Sequence, residues 1–487
     1  MENQTKKINT QYNHLFIGGE WMLPSSNAKA YSISPFDQSQ TGYTVLAAKA
    51  DIDKAVTTAK QTFNSGVWSN KIPEERQAVI ARFNELHKQY SQEFAQLTTS
   101  ENGSPLWFTS AIQQGVVFQT EAYLQAAKET DWEKVSINAT GANLLVRREP
   151  VGVVAAIIPW NAPQQSALVK IIPALLAGCT VVFKPTPETA LNGIALGEIF
   201  MEAGLPKGVL SIVPADREVS EYLVSHPLVD KIAFTGSTRA GQTIASIAGR
   251  QMKRASMELG GKSAGIILED ADINLIAGLG KYSAFTNNGQ SCAGITRLLV
   301  PESRYGEITE ILKQTIESIT IGNPQNPNTF LGPVYNEVQY DRVRNYIQIG
   351  LDEGAELITG GLDKPEDESL QNGWFVKPTL FANVNNKMRI AQEEIFGPVQ
   401  VLIPYKTLDE AIAIANDSEY GLSGSVITNN IEKGLEVAKT IRTGTFMVNA
   451  AQPDFSIPFG GYKQSGVGRE FGTYGLHTYT ELKSISY

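Results

Sequence analysis

Cys292 is one of only two cysteines in this chain of 487 residues, and it lies in a small, polar stretch between Asn287 and Gly294. Catalysis by cysteine needs a thiolate, and a loop without bulky neighbours lets backbone N–H groups converge on the oxyanion formed when a thiolate attacks a carbonyl. A free cysteine can equally be a small buried hydrophobic residue. Cys179, which closes an apolar run at an expected helix C-terminus, fits that description. We therefore interpret Cys179 as structural and Cys292 as a candidate nucleophile.

Glu258 is the second candidate for chemistry, because Gly260 and Gly261 follow it closely. A carboxylate beside two glycines can move between positions, which suits a general base that must leave room for a cofactor. A solvated glutamate at the end of a strand is the alternative interpretation.

The elements that must position these residues begin at Val151, where short β-branched runs alternate with helical patterns. Such runs are typical of a parallel sheet covered by helices on both faces, whose ligands bind beyond the carboxyl ends of the strands. The predicted strands are 152–158, 180–183, 209–213 and 231–234. The segments that follow strands, and therefore matter most, are 159–161, 184–188 and 235–241.

Gly236 and Gly241 lie where the last of these strands turns into a helix, so that backbone N–H groups can face a pyrophosphate. Glycine at a strand–helix turn is also commonly a plain turn residue. Lys184 directly follows a buried strand and is a candidate donor to ribose hydroxyls, with a solvated lysine as the alternative.

The rest of the chain reads as further α/β structure. We expect helices from about 51 to 129, a hairpin at 135–148, and a helix at 275–286 that delivers the Cys292 loop. A second α/β region is expected from 295 to about 442, followed by a glycine-rich loop at 458–466 and a β-prone tail at 478–487. No internal repeat and no metal-ligand spacing is found, and the length predicts two or more domains.

The composition excludes several classes of partner. With 42% hydrophobic and 19% charged residues the chain has the composition of a soluble globular protein, and its net charge of −9 argues against nucleic acid and anionic membranes. We find no export signal and no apolar run long enough to span a membrane. Two distant cysteines do not suggest a disulfide, which favours a reducing cytoplasm and small-molecule partners.

Taken together, the motifs resemble those of the aldehyde dehydrogenase superfamily, in the family's order and over nearly the whole chain. The resembling segments are 159–161 (asparagine motif), 236–241 (cofactor turn), 258–262 (glutamate motif), 289–292 (cysteine motif), 394–398 (nicotinamide-ribose motif) and 458–461 (late glycine motif).

The resemblance implies an α/β fold with a Rossmann-like cofactor domain, an α/β catalytic domain, and a small β element for bridging and oligomerisation. It also implies a homodimer or homotetramer. The expected ranges are 1–127 with 151–260 for the cofactor domain, 261–464 for the catalytic domain, and 128–150 with 465–487 for the bridging element.

By the same resemblance, Cys292 is the nucleophile, Asn161 and the Cys292 backbone N–H form the oxyanion hole, and Glu258 is the base. An aldehyde would be oxidised to its acid through a thiohemiacetal and a thioester, and Lys170 with Glu470 would form an auxiliary proton path. The implied NAD(P) residues are Ile158, Pro159, Trp160, Lys184, Glu188, Gly236, Ser237, Gly241, Leu259, Glu394 and Phe396.

Three alternatives stand beside this interpretation. A cysteine hydrolase needs a histidine base, yet none of the four histidines lies in a loop that resembles a catalytic motif. A relative that passes the acyl group to coenzyme A generally lacks the glutamate. A non-enzymatic structural or binding member of the fold would be expected to lose Cys292 or Glu258, and both are present.

The sequence also bears on specificity. NAD is favoured, although Pro187 stands where many NAD-preferring relatives carry a carboxylate; Glu188 comes one residue later, so that either it reaches the ribose or the site accepts NADP as well. Relatives that take small aliphatic aldehydes resemble this chain but carry aromatic residues at 162 and 169.

Here these residues are Ala162 and Val169, which share a helical face with Gln165 and Ser166. The sequence therefore predicts a channel for a bulky aromatic, branched or terpenoid aldehyde, with Phe285 and Phe459 as apolar walls. The alternative is that other side chains refill the space.

Overall fold

The computed structural model describes residues 7–449, 451 and 454–487. Its first sheet has eight strands, and the five central ones are parallel. In spatial order the strands are Gly466–Val467, Arg254–Glu258, Lys231–Thr235, Val153–Ile157, Thr180–Lys184, Leu210–Ile212, Leu15–Ile17 and Glu20–Met22. The earliest parallel strand, Val153–Ile157, lies in the middle, so the sheet has a topological switch point between it and Lys231–Thr235. This confirms the predicted Rossmann-like fold.

Alternate residues of the central strand supply two separate hydrophobic layers. Val154 and Ala156 pack on one face of the sheet, whereas Val153, Ala155 and Ile157 pack on the other, which is why the strand is apolar throughout. The helices of this part are Lys49–Ser65, Pro73–Gln89, Ser91–Asn102, Leu106–Glu129, Pro163–Ala177, Ala190–Ile194, Leu196–Glu202, Arg217–Ser225 and Thr238–Arg250. The first four confirm the helical prediction for 51–129.

The second sheet has seven strands and is parallel except at one edge, where Glu356–Thr359 runs antiparallel to its neighbour. In spatial order the strands are Glu356–Thr359, Thr379–Ala382, Val399–Tyr405, Ile295–Pro301, Ser263–Ile267, Gly424–Ile427 and Met447–Val448. The helices around it are Ile273–Ala284, Tyr305–Glu317, Glu337–Asp352, Arg389–Gln392, Leu408–Asn416 and Ile431–Thr440. This region begins at Ser263, one strand earlier than expected.

A third, antiparallel sheet joins the predicted hairpin to the C-terminal tail. Its strands are Glu133–Ile137, Asn143–Pro150 and Thr480–Ser486. The helix Gly472–His477 precedes the last strand, and Gly466–Val467 pairs instead with the first sheet.

Small elements complete the fold. A three-stranded sheet contains Gln11–Tyr12, Lys29–Ile33 and Gln40–Val45, and Tyr420–Gly421 pairs with Tyr462–Lys463. Single 3-10 turns are Pro187–Thr189, Thr286–Gly289, Glu302–Arg304 and Glu368–Leu370. Within the described ranges, no helix combines the length and the apolar character needed to cross a membrane.

Candidate active site

Cys292 lies at the end of a tightly wound loop that follows the helix Ile273–Ala284. Asn287, Asn288 and Gly289 have φ angles of 55°, 59° and 73°, a left-handed run that asparagine and glycine tolerate best. A Cβ on Gly289 would approach within 2.2 Å of the backbone at Gly397. The half-buried thiol sits close to carboxylates: burial, then Glu394 and Glu258, raise its pKa to about 12. The thiol therefore needs a base before it can attack.

Asn161 is brought to the same loop by the strand Val153–Ile157. Its side-chain Nδ2 donates to the carbonyl oxygen of Gln290 over 3.1 Å. Since a carbonyl only accepts, the amide nitrogen of Asn161 faces the cysteine loop two residues before the thiol. The structure thus brings the predicted oxyanion donor and nucleophile together.

Glu258 is the last residue of its strand and is only 5% exposed. Its Oε2 has no hydrogen-bond partner among the described residues, and a Cβ on Gly460 would lie 2.6 Å from its Oε1. Burial, and then the charge of Glu470, raise the pKa of Glu258 well above its usual range. A carboxyl group of raised pKa in a closed site is suited to general base catalysis near neutral pH.

Lys170 and Glu470 lie beside this base. Lys170 Nζ is 2.5 Å from Glu470 Oε1 and donates to Thr235 Oγ1 over 2.6 Å, and Thr235 pairs with Glu258 in the sheet. The two residues predicted to form an auxiliary proton path are therefore an ion pair next to Glu258.

Glycines allow the glutamate and cysteine segments to touch. A Cβ on Gly261 would lie 2.4 Å from the carbonyl oxygen of Cys292. The Gly261 N–H donates to Glu394 Oε1 over 3.0 Å, and a Cβ on Gly260 would lie 2.5 Å from the same carboxylate. Glu394 is thereby fixed beside both catalytic loops.

The switch point of the first sheet fits a dinucleotide. Ser237 caps the helix Thr238–Arg250, whose N-terminus offers N–H groups and a positive dipole end to a pyrophosphate. Gly236 donates its N–H to Glu258 O over 3.0 Å, and Gly241 lies against Leu259, where a Cβ would come within 2.5 Å. Larger residues would fill this turn.

The ribose side of the site has an unused donor. Lys184 is 7% exposed, burial lowers its pKa to about 8, and its ammonium has no hydrogen-bond partner within the described chain. Glu188 lies in the 3-10 turn that starts at Pro187. Its carboxylate is exposed and accepts a hydrogen bond from the Thr186 hydroxyl. A buried donor beside an exposed carboxylate fits two ribose hydroxyls.

Trp160, directly before Asn161, packs against other aromatic side chains. Its ring stacks on Tyr335 at 4.3 Å and meets the edge of Phe396 at 5.6 Å, and Phe396 has a φ of 62°. Pro159 is half-buried, whereas Ile158 is buried in the core and offers its main chain only. Tyr335 was not predicted, since no local signal marks it.

The four residues on the helical face that follows Asn161 differ in burial. Ala162, Gln165 and Ser166 are half-buried, but Val169 is 3% exposed and belongs to the core.

The prediction that Phe285 forms a channel wall is wrong, because this ring is fully buried in the core of the second sheet. Phe459 is half-buried and contacts Phe471 at 5.5 Å, which in turn meets Phe455 at 5.0 Å. Phe455 and Phe471 were missed, since neither lies within a recognised motif.

Comparison with known proteins decides the family, because the profile of the Aldehyde dehydrogenase family matches residues 21–485. The chain belongs to this family. It is similar to a Geranial dehydrogenase of Castellaniella defragrans and to a 3-succinoylsemialdehyde-pyridine dehydrogenase of Pseudomonas sp, each 40% identical over 97% of this chain and 98% of the relative.

Solved structures of aldehyde dehydrogenases have the same fold as this chain. The Mycobacterium tuberculosis aldehyde dehydrogenase complexed with NAD+ is 43% identical, with a TM-score of 0.94 over 98% of both chains. A mutant of Aldehyde Dehydrogenase C from Pseudomonas syringae, complexed with NAD+ and octanal, is 37% identical with the same TM-score over 99% of this chain and 98% of that one. The chain is an NAD-dependent aldehyde dehydrogenase, which confirms the recognised family and cofactor.

Proposed function

We propose that this aldehyde dehydrogenase oxidises a bulky hydrophobic or aromatic aldehyde to its carboxylic acid. The observation that carries the proposal is the half-buried helical face Ala162, Gln165 and Ser166, none of whose side chains is aromatic. The similar enzyme named for geranial, a branched terpenoid aldehyde, supports the same substrate class.

The proposed mechanism assigns each step to a residue. Glu258 takes the proton of Cys292, and the thiolate adds to the aldehyde carbon to give a thiohemiacetal. Asn161 Nδ2 and the Cys292 N–H bind its oxyanion. NAD, when bound, would supply the hydride acceptor, and loss of the hydride would leave a thioester on Cys292. Glu258 releases the proton from Cys292 to solvent and then removes one from water. The water oxygen bonds to the carbonyl carbon, and the C–S bond breaks to release the acid and the Cys292 thiolate.

In the cofactor site, Lys184 and Glu188 would hold the adenosine ribose, the turn Gly236–Gly241 the pyrophosphate, and Glu394 the nicotinamide ribose. Support comes from the buried unused ammonium of Lys184 and from the glycines that keep the turn open. For the nicotinamide ribose, support comes from the hydrogen bond that Gly261 N–H donates to Glu394, because it holds the Glu394 carboxylate beside Cys292.

Oligomerisation, the domain ranges and a cytoplasmic location belong to the same proposal. The third sheet exposes the apolar side chains of Val135, Ile137 and Leu482, which a homodimer or homotetramer would cover. Light scattering should give a mass two or four times that of the chain, and a monomer at micromolar concentration would contradict this part.

The substrate class is tested by steady-state kinetics on acetaldehyde, hexanal, benzaldehyde and a terpenoid aldehyde, with NAD. We expect the highest kcat/KM for one of the last two, and acetaldehyde as the best substrate would refute the wide channel. Repeating the assay with coenzyme A separates hydrolysis from acyl transfer: the product should remain the free acid.

A further inference from the structure

A buried amide joins the two loops that carry the oxyanion donors. Asn287 is 1% exposed, and its Nδ2 donates to the carbonyl oxygens of Asn161 at 3.0 Å and Gln290 at 3.1 Å. Asn161 follows a strand of the first sheet, whereas Gln290 precedes a strand of the second. One side chain therefore sets the distance between loops that belong to different sheets.

Ser104 fixes the orientation of this amide. Its hydroxyl, which is fully buried, donates to Asn287 Oδ1 over 2.5 Å, so the amide nitrogen must face the two carbonyls. The Ser104 N–H donates to Asn102 Oδ1 over 3.0 Å, and Asn102 Nδ2 donates to Trp160 O over 3.0 Å. The segment Asn102–Ser104 therefore binds both the loop of Asn161 and the side-chain amide of Asn287, which links that loop to the cysteine loop.

The carbonyl of Gln290 transmits this order to Asn161. It accepts from both Asn287 Nδ2 and Asn161 Nδ2, which occupies its two lone pairs. One N–H of the Asn161 amide is therefore committed to Gln290, and the other is left for an oxyanion. Removal of the Asn287 amide would take away a hydrogen-bond donor that the carbonyl oxygens of Asn161 and Gln290 share.

We propose that Asn287, oriented by Ser104, is a positioning residue for the oxyanion hole. It acts through Asn161, because it holds the Asn161 loop of the first sheet at a fixed distance from the cysteine loop of the second. The inference rests on the proposed function. Asn288 supplies a matched comparison, since it is also left-handed and buried. Its side-chain amide donates to two carbonyls, Gly103 O at 2.9 Å and Pro333 O at 2.7 Å, and neither belongs to Asn161 or Gln290.

The test compares Asn287→Gly with Asn288→Gly, because glycine keeps the left-handed backbone and removes only the amide. An activated aryl ester is added without NAD: the Cys292 thiolate bonds to the ester carbon, the C–O bond breaks, and the aryloxide that leaves is measured as a burst. We expect Asn287→Gly to lower the burst rate by about tenfold or more, since misplacing a reacting group is costly. Asn288→Gly should change it by less than about threefold, with a similar shift in Tm.

A double-mutant cycle separates positioning from general loosening. In an Asn161→Ala background the effect of Asn287→Gly should shrink to a small factor, because its target is gone. Equal losses for the two glycine variants, or fully additive losses in the cycle, would overturn the inference.

If Asn287→Gly does not fold, Ser104→Ala carries the test, since it leaves the loop backbone intact. A burst rate at least about threefold lower supports the assignment, because the amide loses the bond that orients it, and an unchanged rate contradicts it. A wild-type enzyme that gives no burst would instead overturn the proposed thiol chemistry, and the inference with it.

Discussion

Glu258 faces the Lys170–Glu470 ion pair, and the two partners act on it in opposite directions. Burial is the main cause of the raised pKa of the Glu258 carboxyl; Glu470 raises this pKa further, whereas Lys170 lowers it. The Nζ–Oε1 distance of 2.5 Å keeps these opposing charges together beside the base. The ion pair therefore tunes the pH at which Glu258 ionises.

This arrangement predicts opposite shifts in the pH profile. Glu258 acts as a base only when ionised, so a lower pKa extends activity to lower pH. Glu470→Gln removes the raising charge and should move the acidic limb of the kcat profile to lower pH. Lys170→Met removes the lowering charge and should move it to higher pH.

Steady-state kcat measured from pH 5 to 10 checks both, and shifts in the same direction would contradict the assignment. Lys170 is buried, so Tm is measured for each variant to confirm folding.

The two cysteines predict a clean pair of variants. Cys292→Ala should abolish turnover, because the nucleophile is lost, whereas Cys179→Ala should retain it, because that thiol is fully buried and donates to Tyr479 O. Glu258→Gln should slow both the activation of the thiol and the hydrolysis of the thioester, so that turnover stalls. The acyl-enzyme that forms should persist, and intact-mass spectrometry detects it as a covalent adduct on Cys292. Undiminished steady-state turnover in Glu258→Gln would remove Glu258 from the role of base.

Cofactor choice depends on Glu188. The carboxylate is exposed, is held by Thr186, and lies near the buried ammonium of Lys184, so it should repel a 2′-phosphate. Glu188→Gln should raise kcat/KM for NADP relative to NAD by roughly fivefold or more, given about 1 kcal/mol per charge pair in an exposed site. Glu221→Gln, an exposed glutamate on a neighbouring helix, is the control. An unchanged NADP to NAD ratio would show that Glu188 does not select the cofactor.

Local patterns were enough to predict the strand ends and the motifs attached to them. Apolar β-branched runs located Val153–Ile157 and Lys231–Thr235, and the chemistry follows directly after such strands, so Asn161 and Gly236 could be found from sequence. The hairpin of the third sheet was also predictable, because a turn separates its two strands by only a few residues, whereas its union with the C-terminal tail was implied only by the family resemblance.

Contacts between distant segments could not be predicted. Ser104 and Asn287 are 183 residues apart, and nothing near either residue indicates the other. The prediction that Phe285 lines the channel was wrong for a related reason. Phe285 follows an apolar helix, and hydrophobic periodicity does not distinguish a side chain that faces the core from one that faces a channel. Phe471, with its strained φ of 67°, is held by a hydrogen bond from its own N–H to the distant Tyr123 hydroxyl.

The last prediction separates two positions that the sequence placed on one helical face. Ala162 is half-buried, so Ala162→Phe should project a ring into the channel without disturbing the core, whereas Val169 is 3% exposed and packed. Val169→Phe should therefore overpack the core and cost about 1–3 kcal/mol of stability, visible as a lower Tm.

For Ala162→Phe, we expect kcat/KM for benzaldehyde and a terpenoid aldehyde to fall by about tenfold or more, with acetaldehyde changed by less than about threefold, because only bulky substrates need the space. Val169→Phe serves as the comparison, since loss of stability lowers the rate for every substrate alike. If Ala162→Phe penalised acetaldehyde as strongly as the bulky aldehydes, the ring would be blocking the approach to Cys292 itself, and Ala162 would not set the width of the channel.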